Sequence, residues 1–267
     1  MATFILIHGA FQGSWVWKTT ADMLRYAGHN VLTPGLTGLG DRAHLLRKDL
    51  SLAHYVDDVV NAACFAHTGP AIFVGHSFSG LVATAAAARL EGLACGLIYV
   101  DALIPEPGKA FRDMAGTEFS MVLAAHVHDG WLVRPWPLPV FGVAGSVLAE
   151  DFAARLTSTP LAAFTDQYDF PHPDAGLPRA FIRCTRNQNP LIVAQAAKAR
   201  EYGFDYLEID SGHAPMITAP DLLADALARC AARMPLKPSA EVYSAYCNRG
   251  LFRTSPARSG QTLEAAP

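Results

Sequence analysis

The chain has no long basic or acidic run, and charged residues make up only 17% of it, with a formal net charge of -3. Nucleic acid and anionic membranes are therefore poor partners for it. Its opening residues, Met1 to His8, carry no basic segment, and their apolar run is too short for a signal sequence or a membrane span. The 5 cysteines (Cys64, Cys95, Cys184, Cys230 and Cys247) are scattered and show no C-x-x-C spacing. That argues against a disulfide framework or a zinc site and favours free thiols in a reducing compartment, so a cytoplasmic protein is expected. Gly38-Leu-Gly40 lacks the third glycine of a dinucleotide fingerprint. His126 and His128 lack an evident third metal ligand, and exposure on a loop is the expectation for them. No cofactor and no metal are expected, and no internal repeat is visible.

What is present is a large apolar fraction, 51% of 267 residues, enough for one sizeable α/β core. Strand-like runs alternate with helical patterns. Phe4–Ile7, Val31-Leu32, Ala71–Val74, Gly96–Val100, Ala180–Cys184 and Tyr206–Ile209 read as strands. Helices are expected over Trp15 to Ala27, after Ser51, after Ser77, near Leu191–Tyr202 and from Asp221 to Arg233. After Ser51, Leu52, Tyr55, Val56, Val59, Val60 and Ala63 form one apolar helical face. Such alternation predicts a mostly parallel sheet with helices on both faces. The rhythm breaks over 103–178, where no strand is clear and aromatics are frequent; this segment reads as a small helical cap inserted after the strand ending at Asp101. The core then comprises 1–102 and 179–234, and 235–267 is an extension of unassigned role.

Ligands of parallel sheets bind beyond the carboxyl ends of the strands, where His8, Ser77, Asp101, Asn187 and His213 all fall. Gly75-His-Ser-Phe-Ser79 matches G-x-S-x-G except at Ser79, which Gly80 follows. Strand, sharp turn and helix around Ser77 are the setting in which a serine hydroxyl is pushed out as a nucleophile. The turn His8-Gly9-Ala10 can offer a backbone N–H to a developing oxyanion, with a second N–H from Phe78. His213, in Asp210-Ser-Gly-His213 after the last strand, has the pKa range of a general base. His76 is expected to face the core or the neighbouring helix.

Several longer segments carry a resemblance. Phe4-Ile-Leu-Ile-His-Gly-Ala-Phe-Gln-Gly-Ser-Trp-Val-Trp17 is similar to the opening of small α/β-hydrolases of the plant methylesterase and hydroxynitrile lyase group. Leu36–Leu46, Tyr99–Gly108, Pro160–Phe164, Phe181–Arg186 and Gly212–Met216 resemble bacterial members described as pyrethroid-hydrolase-like esterases. The resemblance runs from about Phe4 to Arg233. It implies an α/β-hydrolase fold with Ser77 as nucleophile, His213 as base, and Ala10 and Phe78 at the oxyanion. Plant members carry an aspartate where this chain has Asn187. An amide can orient a histidine but cannot stabilise an imidazolium by charge, and Asp101, ending the preceding strand, is the expected replacement acid. Asp210, on the final strand itself, is a further carboxylate. The lyases of the group carry threonine and lysine where this chain has Gly9 and Ala214, which points to ester hydrolysis.

The reading is a cofactor-independent serine hydrolase acting on a carboxylic ester with a hydrophobic or aromatic part, through an acyl-enzyme. Phe11, Trp131 and Trp136 are the expected substrate-binding aromatics, with one or two cap aromatics in the pocket. The expected partner is a small-molecule substrate, and a homodimer is left open. Two other readings stay open: a lyase, cyclase or natural-product tailoring reaction on the same scaffold, motivated by Asn187, and a ligand-binding receptor.

Overall fold

Thr3–Ile7 (β1) and Ala71–His76 (β3) are buried along their whole length, as befits strands covered on both faces of a sheet. The computed structural model describes residues 1–66 and 68–234; the expected extension 235–267 and Cys247 lie outside the described residues. After β1 come α1 (Lys18–Tyr26), β2 (Asn30–Leu32) and α2 (Leu52–Phe65), then β3, α3 (Ser79–Arg89) and β4 (Ala94–Val100). The cap segment follows, with α4 (Phe111–His126), β5 (Val127–His128), β6 (Leu132–Val133), α5 (Leu138–Phe141), α6 (Ala149–Ala154), β7 (Thr159–Pro160) and α7 (Ala162–Thr165). The chain then returns to the core through β8 (Arg179–Cys184), α8 (Pro190–Glu201), β9 (Asp205–Ile209), α9 (Pro215–Thr218) and α10 (Pro220–Ala232).

Six strands pair in the order β2-β1-β3-β4-β8-β9, and every pairing is parallel. Alternation along β4 shows that both faces are covered. The Tyr99 hydroxyl meets Thr84 Oγ1 of α3 at 2.8 Å, whereas Gly96, an odd number of residues away, lies against Met234 just after α10. The expected first helix begins later than its apolar pattern suggests, because Ser14–Trp17 winds as a 3₁₀ turn before α1. Ser51 opens α2, its backbone N–H donating to His54 Nδ1 at 3.2 Å.

The cap segment differs from its expectation in one respect. It contains a small antiparallel sheet in the order β5-β6-β7 beside its helices. Each of these strands is two residues long, so no alternation of apolar and polar residues could signal them. The cap is tied to the core by directed hydrogen bonds. Phe11 N–H donates to Thr159 Oγ1 at 2.8 Å, Ala214 N–H to the Phe141 carbonyl at 2.8 Å, and Leu52 N–H to Asp166 Oδ2 at 2.9 Å.

Candidate active site

At the end of β3 the chain turns into α3 through Ser77, whose φ of 55° places an L-residue in the left-handed region. Two glycines permit this turn. A Cβ at Gly75 would sit 2.4 Å from the Ser79 carbonyl oxygen, and one at Gly80 would sit 2.0 Å from the carbonyl oxygen of Leu103. Position 79 carries no such constraint. Ser79 is fully buried and its hydroxyl donates to the His8 carbonyl, joining the Ser77 turn to the turn after β1. The departure from G-x-S-x-G thus falls where a small side chain fits and finds a partner.

The structure brings Ser77, His213 and Asp101 into one chain of hydrogen bonds. Ser77 Oγ lies 2.9 Å from His213 Nε2, and His213 Nδ1 lies 2.9 Å from Asp101 Oδ2. A carboxylate only accepts, so Nδ1 carries the proton and Nε2 offers its lone pair to the serine. Asp101 is itself in the left-handed region, with φ 46°, and is completely buried. Its Oδ1 accepts from Cys184 N–H at 3.0 Å and from Arg183 Nη1 at 3.2 Å. Asn187 Nδ2 donates to Oδ2 at 2.6 Å. Burial opposes ionisation of Asp101, but the hydrogen bond and charge of His213, with the donors Asn187 and Cys184, outweigh it and hold the carboxyl below its ordinary pKa.

Asn187 therefore joins the site beside Asp101 rather than in its place. Its Oδ1 accepts from Asn189 N–H at 3.1 Å, which fixes the amide with Nδ2 towards Asp101 and 3.1 Å from His213 Nδ1. Arg183 Nη2 donates to the Asn187 carbonyl and Nη1 to that of Cys184, bracing the loop after β8. Asp210 faces away, half of an exposed ion pair with Arg186 at 3.2 Å.

The backbone donors sort themselves in the same way. In the turn after β1, Gly9 N–H is taken by Gln12 Oε1 at 3.2 Å and Phe11 N–H by Thr159. The N–H groups of Ala10 and Phe78 have no protein partner among the described residues, and both residues line the cavity beside Ser77. Phe78 also stands at the start of α3, whose dipole favours negative charge there.

Three further placements depart from the sequence reading. His76 is buried, but it turns to the site: its Nε2 donates to the His213 carbonyl at 2.7 Å and its ring lies 4.9 Å from that of His213. Burial, reinforced by the neighbouring His213, lowers its pKa to about 3, so the ring stays neutral. Trp131 does not line the cavity. It sits after the left-handed Asp129-Gly130 turn of the β5–β6 hairpin, its N–H bonded back to His128 and its carbonyl to Leu161 N–H. Five of the cap aromatics line the cavity: Phe111, Phe119, Trp136, Phe141 and Phe164. They form one ring cluster around Phe11, with Phe11 and Phe164 stacked at 5.8 Å and Trp136 edge-on to Phe11 at 5.3 Å, so the inner face of the cluster is the cavity wall. Gln12 and His126 also line it, and neither was selected from sequence. Gln12 lies two residues after Ala10, a proximity visible in the sequence. The cavity has a volume of about 440 Å³. Among the described residues no His, Cys, Asp or Glu cluster could hold a metal ion.

A doubly wound parallel sheet with serine, imidazole and carboxylate hydrogen-bonded in series at its strand ends defines an α/β fold with a nucleophile-turn site. The chain belongs to the alpha/beta hydrolase family, whose family profile matches residues 4–226. It is 31% identical to the carbendazim hydrolyzing esterase of Nocardioides sp. (strain SG-4G) over 85% of this chain and 99% of that protein. It is 26% identical to the pyrethroid hydrolase of Sphingobium wenxiniae over 84% of this chain and 85% of that protein. Among solved structures, an extracellular alpha/beta-hydrolase from a Paenibacillus species superposes with a TM-score of 0.73 at 22% identity, over 86% of this chain and 99% of that one.

Proposed function

We infer that this protein is a serine carboxylic ester hydrolase that works through an acyl-enzyme. The observation that carries the reading is the unbroken series Ser77 Oγ, His213 Nε2, His213 Nδ1 and Asp101 Oδ2, each contact 2.9 Å long, opening on an aromatic-lined cavity. His213 Nε2 takes the Ser77 proton as Oγ bonds to the ester carbonyl carbon. The carbonyl oxygen becomes an oxyanion held by the N–H groups of Ala10 and Phe78, each worth about 3 kcal/mol at the transition state. Collapse breaks the ester C–O bond, and the leaving alkoxide takes the proton from Nε2. Water then gives a proton to Nε2 and attacks the acyl carbon; the Ser77 Oγ–acyl bond breaks, Oγ regains the proton, and the acid departs. Asp101 stays ionised, orients the imidazole and stabilises its charged form.

The relatives named as esterases support ester cleavage, and the apolar cavity suits an ester with a hydrophobic or aromatic part. The substrate is read as a small molecule, with Phe11 and Trp136 in its binding site. A non-hydrolytic reaction rested on Asn187 in place of an acid; with Asp101 in contact with His213, hydrolysis is the better supported reading. Among the described residues no helix is long and apolar enough to cross a membrane, and the buried free thiols Cys95, Cys184 and Cys230 suit a reducing cytoplasm. A panel of p-nitrophenyl esters assayed with wild type and Ser77→Ala tests the proposal. Turnover by wild type and none by the variant is expected; equal turnover by both overturns it.

A further inference from the structure

The cavity wall is mostly apolar, so the few polar side chains on it decide what part of a substrate other than the ester is recognised. Apart from Ser77, His213, His76 and Asn187, they are Gln12, Glu118, His126 and Asn189. Gln12 uses its oxygen on Gly9 N–H, and its buried Nε2, a donor, is left without a partner among the described residues. Asn189 spends its side-chain oxygen on Leu191 N–H at the start of α8. Glu118 is exposed at the rim.

His126 offers an acceptor instead. It is the last residue of α4, half-buried, with its ring 4.6 Å from that of Trp136 and inclined 69° to it. Trp136 in turn meets Phe11, so two ring contacts link His126 to the residue that follows Ala10. Its Nδ1 lies 2.9 Å from the Val122 carbonyl. A carbonyl only accepts, so Nδ1 carries the proton, and in the neutral ring Nε2 is left with a lone pair. No partner for Nε2 exists among the described residues. The side chain is thus a fixed hydrogen-bond acceptor on an aromatic wall.

We propose that His126 selects substrates, accepting through Nε2 a hydrogen bond from an O–H or N–H group on the hydrophobic or aromatic part of the ester. The proposal rests on the esterase reading for the identity of the substrate, but the recognition itself does not need turnover. The aromatic wall holds the ring of the substrate, and His126 distinguishes a ring bearing a donor from one whose donor is capped. Donor-free rings lose because the acceptor would be desolvated without a partner.

Two matched ester pairs separate the acyl and alcohol sides: methyl 4-hydroxyphenylacetate against methyl 4-methoxyphenylacetate, and 4-hydroxyphenethyl acetate against 4-methoxyphenethyl acetate. Their Kd values are measured by calorimetry on Ser77→Ala, which holds the ester uncleaved, with and without His126→Phe. In one pair at least, the hydroxy ester is expected to bind roughly tenfold more tightly. His126→Phe should bring that ratio close to one, and His126→Gln, which restores an acceptor, should recover part of it. Ratios that are the same with and without His126, or binding of neither pair, overturn the proposal. The same pairs are then assayed for kcat/KM with the wild-type serine. A His126-dependent Kd ratio without any ester turnover leaves His126 in its role and removes the esterase reading; turnover with no His126-dependent ratio does the reverse.

Discussion

Asp101 accepts four hydrogen bonds, two on each oxygen, and only one of them comes from His213. The other three fix its direction. Asp101→Asn keeps the shape but loses the charge and presents an amide to Nδ1, so kcat for p-nitrophenyl esters should fall by about 10⁴. Asn187→Ala removes one donor and leaves the carboxylate, and a loss of roughly tenfold is expected. The double variant Asp101→Asn with Asn187→Asp moves the carboxylate across to the end of the next strand while keeping it beside Nδ1. It should recover part of the rate lost by Asp101→Asn alone; a double variant no faster than the single one would show that position 187 cannot serve His213. Ser77 and His213 were legible in sequence because each lies in a local motif. The partnership of Asp101 and Asn187 was not, because it depends on two adjacent strand ends converging on one imidazole. Sequence supplied both residues as alternatives, whereas the fold uses them together.

Elements reach the site through tight backbone crossings. Gly212, next to His213, lies so close to Gly142 at the end of α5 that a Cβ on it would stand 2.7 Å from the Gly142 Cα. Ala214 N–H is bonded to the Phe141 carbonyl in the same crossing. Gly212→Ala must therefore push the His213 loop off the cap, and it should lower kcat much more than it raises KM. At the Ser77 turn, Ser79→Gly removes the hydroxyl that meets the His8 carbonyl. Urea unfolding followed by circular dichroism should register a loss of about 1 kcal/mol. The core strands and helices were readable because their periods are regular and their runs are buried. The cap was readable only as an interruption: its strands are too short for a period, and its aromatics give no sign in sequence of which face a cavity. That is why the sequence does not separate Trp131, which lies outside the cavity lining, from Phe119 and Phe164, which lie within it.

Two buried imidazoles bind the stability of the whole molecule to pH. Burial lowers His8 to about 4, partly offset by its hydrogen bond to Gly9, and lowers His76 to about 3. Both are free to take a proton near pH 6.5 in the unfolded chain, so below that value the unfolded state binds more protons and stability falls with falling pH. From pH 6.5 to about 4 each contributes a loss on the order of 3 kcal/mol. Asp101, whose pKa is depressed, adds its own loss only below the ordinary carboxylate range. Urea midpoints measured between pH 7 and pH 4.5 should therefore drop steeply, whereas a flat profile would show that the two rings are not held neutral.

Covalent labelling by a fluorophosphonate, read by peptide mass spectrometry alongside residual ester turnover, tests the role of Ser77 most directly. One adduct per chain is expected, on the peptide carrying Ser77, with activity lost in proportion to labelling and neither adduct nor activity in Ser77→Ala. Turnover that persists in a fully labelled enzyme, or that survives Ser77→Ala, would contradict it.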